Sequence, residues 1–290
     1  MTVRAVIENS FGTAGLYLGA AVMGLLMLIA AAGYRRLHPA IAEAEREPSD
    51  LDGTETDLDD TETRADGYAG AAELEAMEVA RNYNDYLASA VLSRADPSRP
   101  VLDFGAGLGT HARALRGRDL DVRCVEVDVG LSRALKAEGF ETATSVTEFG
   151  PEAFGCIYSL NVLEHIEDDA AALRELYSAT QRGGRLVVYV PAFPLVFSTL
   201  DQRVGHVRRY RKRSLTALVT HAGFRVERCR YVDSLGFAAA LAYRFVSRSG
   251  GLSPQTVKRY DRFVFPLSRR IDCVTNRWIG KNLLLEARRD

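Results

Sequence analysis

The chain is poor in features that staple or metallate a protein locally. Its four cysteines, Cys124, Cys156, Cys229 and Cys273, lie far apart and form no Cys-x-x-Cys pair. That argues against a zinc knuckle and a disulfide framework, and fits a reducing compartment. No His/Asp/Glu group has ligand spacing along the sequence, so no metal is expected. No internal repeat is apparent. Net charge is almost absent as well, at −1, but that figure hides two opposed regions. Residues 43–66 carry eleven acids against two arginines, and residues 201–290 carry twenty basic residues against seven acids. An acidic tether and a basic C-terminal third are separate physical objects, and the second favours an anionic partner.

Charge is missing altogether from 9–34, "NSFGTAGLYLGAAVMGLLMLIAAAGY". As a helix it would reach about 39 Å, enough to cross a hydrocarbon core of about 30 Å. Residues 1–36 are therefore expected to be an N-terminal transmembrane anchor. A signal peptide or a buried helix is the alternative. Arg35 and Arg36, against the single Arg4 on the other flank, are expected to place the rest of the chain in the cytoplasm. Gly15 and Gly19 form a Gly-x-x-x-Gly pair that would suit a homodimer. The acidic stretch 37–66 reads as a solvated, self-repelling, disordered linker, and 67–290 as one globular domain.

Within that domain short apolar runs alternate with amphipathic helices. "AAELEAMEVARNYNDYLASAVLS" reads as a helix. "PVLDFGAG", "DVRCVEVD", "FGCIYSLNV", "RLVVYVPAF" and "RVERCRYV" read as strands, with helices between them ended by glycine. This order predicts an α/β fold, a three-layer Rossmann-like sandwich with a mostly parallel sheet. Ligands of such sheets sit beyond the carboxyl ends of the strands.

The stretch "VLDFGAGLGTH" (101–111) narrows the ligand. A dinucleotide fingerprint, Gly-x-Gly-x-x-Gly, needs a third glycine at 110, where this chain has Thr110. The spacing is instead Gly105, Gly107, Gly109. Asp103 stands two residues before the first glycine, where it would repel a pyrophosphate and attract an amino group. A ligand with a cationic amino-acid end, a sulfonium and a nucleoside fits, namely S-adenosylmethionine. Glycine at 105 and 107 lets the backbone approach its methionyl part.

"VLDFGAGLG" resembles the first motif of the class I S-adenosylmethionine-dependent methyltransferases. "SLNVLEHIEDD" resembles a segment of their quinone-type and related small-molecule members, "QRGGRLVVYVP" resembles the turn into their fifth strand, and "GKNLLLEARR" resembles their final antiparallel strand. The resemblance spans about 80–235. It implies cofactor binding by Asp103, Gly105, Ala106, Gly107, Gly109, Glu126, Val127 and Asn161, with Glu126 on the ribose hydroxyls. Two departures stand out. Gly155 follows Phe154 where the family often has an acid, and "ETATSVTEF" lacks the acid often seen near adenine. That leaves Ser145, Val146 and Thr147 as candidates there.

The expected reaction is methyl transfer to oxygen or nitrogen of a small or lipid-linked acceptor at a membrane surface. It needs alignment, exclusion of water and removal of the acceptor's proton. His206 and His165 are the candidate bases, because an imidazole takes up protons near neutral pH; for Glu164 and His165 capping and packing is the plainer alternative. Arg208, Arg209 and Tyr210, in "DQRVGHVRRYRKRS", are candidates for binding an acceptor phosphate or carboxylate. Residues 235–280 mix apolar, aromatic and arginine residues and read as a helical cap. Two alternatives remain: a nucleic-acid methyltransferase using the basic third, though no nucleic acid is expected as partner, and a catalytically inert cofactor-binding membrane adaptor.

Overall fold

A computed structural model describes residues 71–246 and 254–290. The helices α1 (Ala71–Glu78) and α2 (Arg81–Leu92) lead into β1 (Val101–Phe104), α3 (Thr110–Arg116), β2 (Val122–Val125), α4 (Val129–Ala137), β3 (Thr142–Ala143) and β4 (Phe154–Leu160). Then follow α5 (Asp169–Ala179), β5 (Thr180–Pro191), α6 (Thr199–Arg203), α7 (Lys212–His221) and β6 (Arg225–Val232). Last come α8 (Ser234–Val246), α9 (Pro254–Arg259), a π-helical turn at Tyr260–Val264, α10 (Phe265–Thr275) and β7 (Asn282–Arg288).

The seven strands form one sheet in the order β3-β2-β1-β4-β5-β7-β6. Strands β1 to β5 pair in parallel, and β7 runs antiparallel between β5 and β6. The expected three-layer α/β sandwich is therefore present. Every residue of β4 is buried, as a strand covered on both faces requires. Alternation sorts the side chains into two cores. Leu102, Ile157, Leu186 and Val188 pack with Leu173, Leu176, Leu215 and Val219 on one face. Val101, Tyr158, Val187 and Tyr189 pack with Leu87, Val91, Ala112 and Leu115 on the other. Burying one such Leu or Val side chain contributes about 1.5–3 kcal/mol. All four cysteines are free thiols.

The 71–93 stretch expected as one helix is broken between Glu78 and Arg81, and Asp261 supplies the reason for the second start. Its carboxylate accepts hydrogen bonds from the backbone N–H of Asn82 (3.0 Å) and Tyr83 (2.8 Å), so the π-helical turn caps α2 from 179 residues away. Asp272 caps α8 likewise, accepting from the N–H of Asp233 (2.8 Å) and of Ser234 (3.0 Å). The described residues of 235–280, expected as a helical cap, fall in α8, α9, the π-helical turn and α10.

The expectation of single-pass membrane localisation is corrected. Among the described residues no helix is long and apolar enough to cross a membrane. The longest, α8, has 13 residues, about 20 Å of rise against a core of about 30 Å. The segment 9–34, the Gly15/Gly19 pair and the linker 37–66 lie outside the described residues.

Candidate functional site

The chain reverses direction across the sheet between β1 and β4, so their carboxyl ends open the crevice where ligands of this architecture sit. Three loops meet there: the glycine turn after β1, Asn161–His165 after β4, and 192–211 after β5.

The glycine turn departs from β1 with Gly105, Gly107 and Gly109 all at positive φ (82°, 54° and 80°), a region in which a side chain is strained. Space forbids one too. A Cβ at Gly105 would lie 2.5 Å from Val162 Cγ2, and one at Gly107 would lie 2.9 Å from Leu74 Cδ2 of α1. Beneath the turn, the pairing of β1 with β4 sets Asp103 opposite Tyr158. Asp103 is 3% exposed, and its Oδ2 has no hydrogen-bond partner. Burial pushes its pKa up to about 7; the Tyr158 hydroxyl pulls the other way and Glu126 adds to the rise.

Glu126 closes β2 and braces the turn. Its Oε2 accepts from Gly107 N–H at 2.7 Å and its Oε1 from Asp128 N–H at 2.9 Å. Beyond it Val127 and Val129 stand 75% and 71% exposed, an apolar shelf beside a carboxylate. Val129 was not singled out in the sequence, because an exposed valine at a helix start carries no signature. Ser145 caps a 3-10 turn and Val146 is buried in the core. Thr147 lines a separate groove of about 500 Å³ against α5, with Gly150, Ala171 and Arg174. Asn161 adopts φ 57°; its N–H donates to Tyr189 O at 2.8 Å and its side-chain amide to Tyr83 Oη at 3.2 Å.

Three residues further on, the chain forms a second polar centre. Glu164 is fully buried, and neither carboxylate oxygen has a hydrogen-bond partner. Burial raises its pKa to about 8, against a smaller lowering by Arg209. His165 and His206 meet edge to face, with ring centroids 4.7 Å apart. Burial, then His206, lowers His165 to about 4. His206 Nδ1 donates to Asp201 Oδ1 at 2.7 Å, and His206 Nε2 lies 3.8 Å from Glu164 Oε1. Burial alone would raise Asp201, but hydrogen bonds from His206 and Arg209 hold its carboxyl well below the usual range. The two expected bases are therefore brought together from 41 positions apart in sequence. Asp201, which orients one of them, went unnoticed because nothing in linear spacing ties it to β4.

Arg208, Arg209 and Tyr210, expected to meet the acceptor, lie in the loop after β5. Each is engaged within the protein. Arg209 grips Asp201 with two bonds, 2.8 and 3.0 Å. Arg208 pairs with Asp169 at 2.9 Å and donates to Glu167 O at 2.6 Å. Tyr210 is buried and donates to Asp169 Oδ2 at 2.7 Å. Together they strap 201–211 onto the turn after β4. The apolar side of the crevice is Phe193, stacked on Tyr231 (centroids 4.8 Å, planes 4° apart) and tilted against Phe237 of α8.

The residues present fit S-adenosylmethionine. A buried carboxylate oxygen without a partner calls for a cation. A turn that excludes every Cβ admits close backbone contact, and an exposed apolar shelf beside Glu126 suits a nucleoside. Comparison with known proteins agrees. The sequence profile of a family described as a methyltransferase domain matches residues 77–228, a little over half of the chain. The ubiquinone/menaquinone biosynthesis C-methyltransferase UbiE of Rhizobium rhizogenes is 29% identical over 143 residues, 44% of this chain and 53% of that protein. The chain thus spans about half the length of the curated relative it matches.

Among solved structures, the methyltransferase bound to the Trm112 activator of Haloferax volcanii aligns with a TM-score of 0.53 at 16% identity, covering 78% of this chain and 99% of that one. A SAM-dependent methyltransferase from Thermotoga maritima gives 0.52 at 15%, covering 77% and 98%. Another from Archaeoglobus fulgidus gives 0.51 at 13%, covering 75% and 99%. At such identities the likeness is one of fold. The chain belongs to the class I S-adenosylmethionine-dependent methyltransferases. S-adenosylmethionine is its cofactor.

Proposed function

We propose that the domain, residues 67–290, transfers a methyl group to an ionisable O–H or N–H of a small-molecule acceptor bound between Phe193, Phe237 and the Glu164–His165–His206 centre. The observation that carries this reading is the buried Asp103 Oδ2, without a hydrogen-bond partner, under a turn with no room for a Cβ. Asp103 would hold the cofactor's ammonium, the backbone at 105–107 its methionyl part, Asn161 the same end, Glu126 the ribose, and Val127 and Val129 the base. When bound, the sulfonium supplies a methyl carbon with a thioether as leaving group.

The protein's own contribution is alignment and proton removal. Phe193, Tyr231 and Phe237 exclude water from the acceptor side, which strengthens every polar contact there. His206 has Nδ1–H committed to Asp201, so its Nε2 carries the lone pair and can take the acceptor's proton. The Arg209–Asp201 pair fixes the ring's orientation. The relative's printed activity, C-methylation in ubiquinone/menaquinone biosynthesis, supports a small-molecule acceptor, though in that protein the methyl goes to carbon. Nucleic acid fits less well, because Arg208 and Arg209 are bonded internally.

Calorimetry with S-adenosylmethionine, then incubation of the protein with labelled donor and a panel of phenolic and amine acceptors, tests the reading. Donor binding with label transfer supports it. Uptake of NAD in place of the methyl donor would overturn it.

A further inference from the structure

The centre around Glu164 contains more than a proton acceptor needs. One ligand-capable atom from each of Glu164, His165 and His206 lies within 4.8 Å of the others. A cation bound about 2.0–2.2 Å from each requires them about 3–4 Å apart, which small side-chain rotations supply. The surroundings are already arranged for it. A ligating histidine usually donates its other ring N–H to a carboxylate or a backbone carbonyl, which fixes the tautomer and turns the second nitrogen toward the metal. Both rings do so. His206 Nδ1 donates to Asp201 Oδ1 at 2.7 Å, and His165 Nδ1 to Gly205 O at 3.2 Å. Gly205 reaches that position with φ 79°. Each Nε2 then carries a lone pair. Glu164 is fully buried with both oxygens unpartnered, a costly state for a carboxylate unless something positive arrives.

We propose that Glu164, His165 and His206 form a divalent transition-metal site, a two-histidine, one-carboxylate set held by Asp201 and the Gly205 carbonyl. Two imidazoles and one carboxylate favour Zn²⁺, Fe²⁺, Co²⁺ or Mn²⁺ over Ca²⁺ or Mg²⁺. Three protein ligands leave positions open. One of these would take an oxygen of the acceptor and acidify it, its proton leaving to water, with His206 then serving as ligand instead of base. That last role rests on the methyl-transfer reading; the site itself does not.

The test is titration of chelator-treated, full-length protein with Co²⁺, read by ligand-field absorption, with Zn²⁺ as competitor. One equivalent is expected. His206→Gln and Glu164→Gln should each weaken binding at least 100-fold, and Asp201→Asn about 10–100-fold. If a variant does not fold, proton NMR of the cobalt-loaded wild type decides, through two hyperfine-shifted imidazole N–H signals. Absence of stoichiometric uptake, uptake untouched by these substitutions, or absence of both N–H signals overturns the site. S-adenosylmethionine calorimetry on the same samples separates the two readings. Donor binding without metal uptake sinks the metal site alone, and metal uptake without donor binding sinks the methyl-transfer reading alone.

Discussion

The glycine turn and the Glu164 centre sit at neighbouring strand ends but are made in different ways. The turn is one continuous stretch, 101–111, whose backbone angles and missing side chains define its shape. The centre is assembled from 164–165, 201 and 205–209, and depends on Arg209, Arg208 and Tyr210 to hold two segments together. A site written in contiguous sequence is broken by a single methyl group. A site written in tertiary contacts is broken by loosening its straps.

Gly105→Ala should have the largest effect. A Cβ 2.5 Å from Val162 at φ 82° combines left-handed strain of about 1 kcal/mol with overpacking of about 1–3 kcal/mol. Donor affinity is expected to fall at least about 100-fold by calorimetry. A fall of less than tenfold would mean that the turn is softer than its geometry.

Asp103→Asn comes next, and its sign differs between binding and stability. Asp103 is buried beside Tyr158 and Glu126, and its folded pKa is about 7 against an unfolded value near 3.8. A raised carboxylate pKa means the folded state holds the proton longer. Stability without ligand from this group is therefore full below pH about 4 and is lost as pH rises to about 7. The Asn variant should gain a few degrees in Tm at pH 8, at about 2–4 °C per kcal/mol. It should also lose about 10–100-fold in donor affinity, and with it the wild type's rise in affinity from pH 6 to pH 8. Unchanged affinity would remove Asp103 from the ammonium site.

Arg208→Ala is the smallest effect and tests the strap. Its bonds to Asp169 and the Glu167 carbonyl are half-exposed, so stability should drop by about 1 kcal/mol or less. The acceptor KM should move less than twofold. A tenfold rise in KM with unchanged Tm would return Arg208 to the acceptor.

Legibility followed the same division. The strands, the parallel order and the cofactor turn could be read from periodicity and from glycine placement, because both are local. Glu126 was readable as an acid at a strand end, while Val129 was not. His165 and His206 were visible as residue types, but their meeting depends on where the loop after β5 lands. The charge of Arg208 and Arg209 was equally visible, but their partners Asp169 and Asp201 stand at distances the sequence does not encode. The expected absence of a metal came from looking for ligands close together along the chain, whereas the ligand set proposed here closes only in the fold.

Strand β7 is threaded between β5 and β6, so an interior position of the sheet waits for residues 282–288. A nascent chain emerging from the ribosome leaves β6 with no neighbour on either edge until those residues appear, and α2 without its cap until Asp261 has been made. Any product that stops short of 282 therefore leaves β5 and β6 with unpaired strand edges, a template for aggregation and a target for chaperones and proteases.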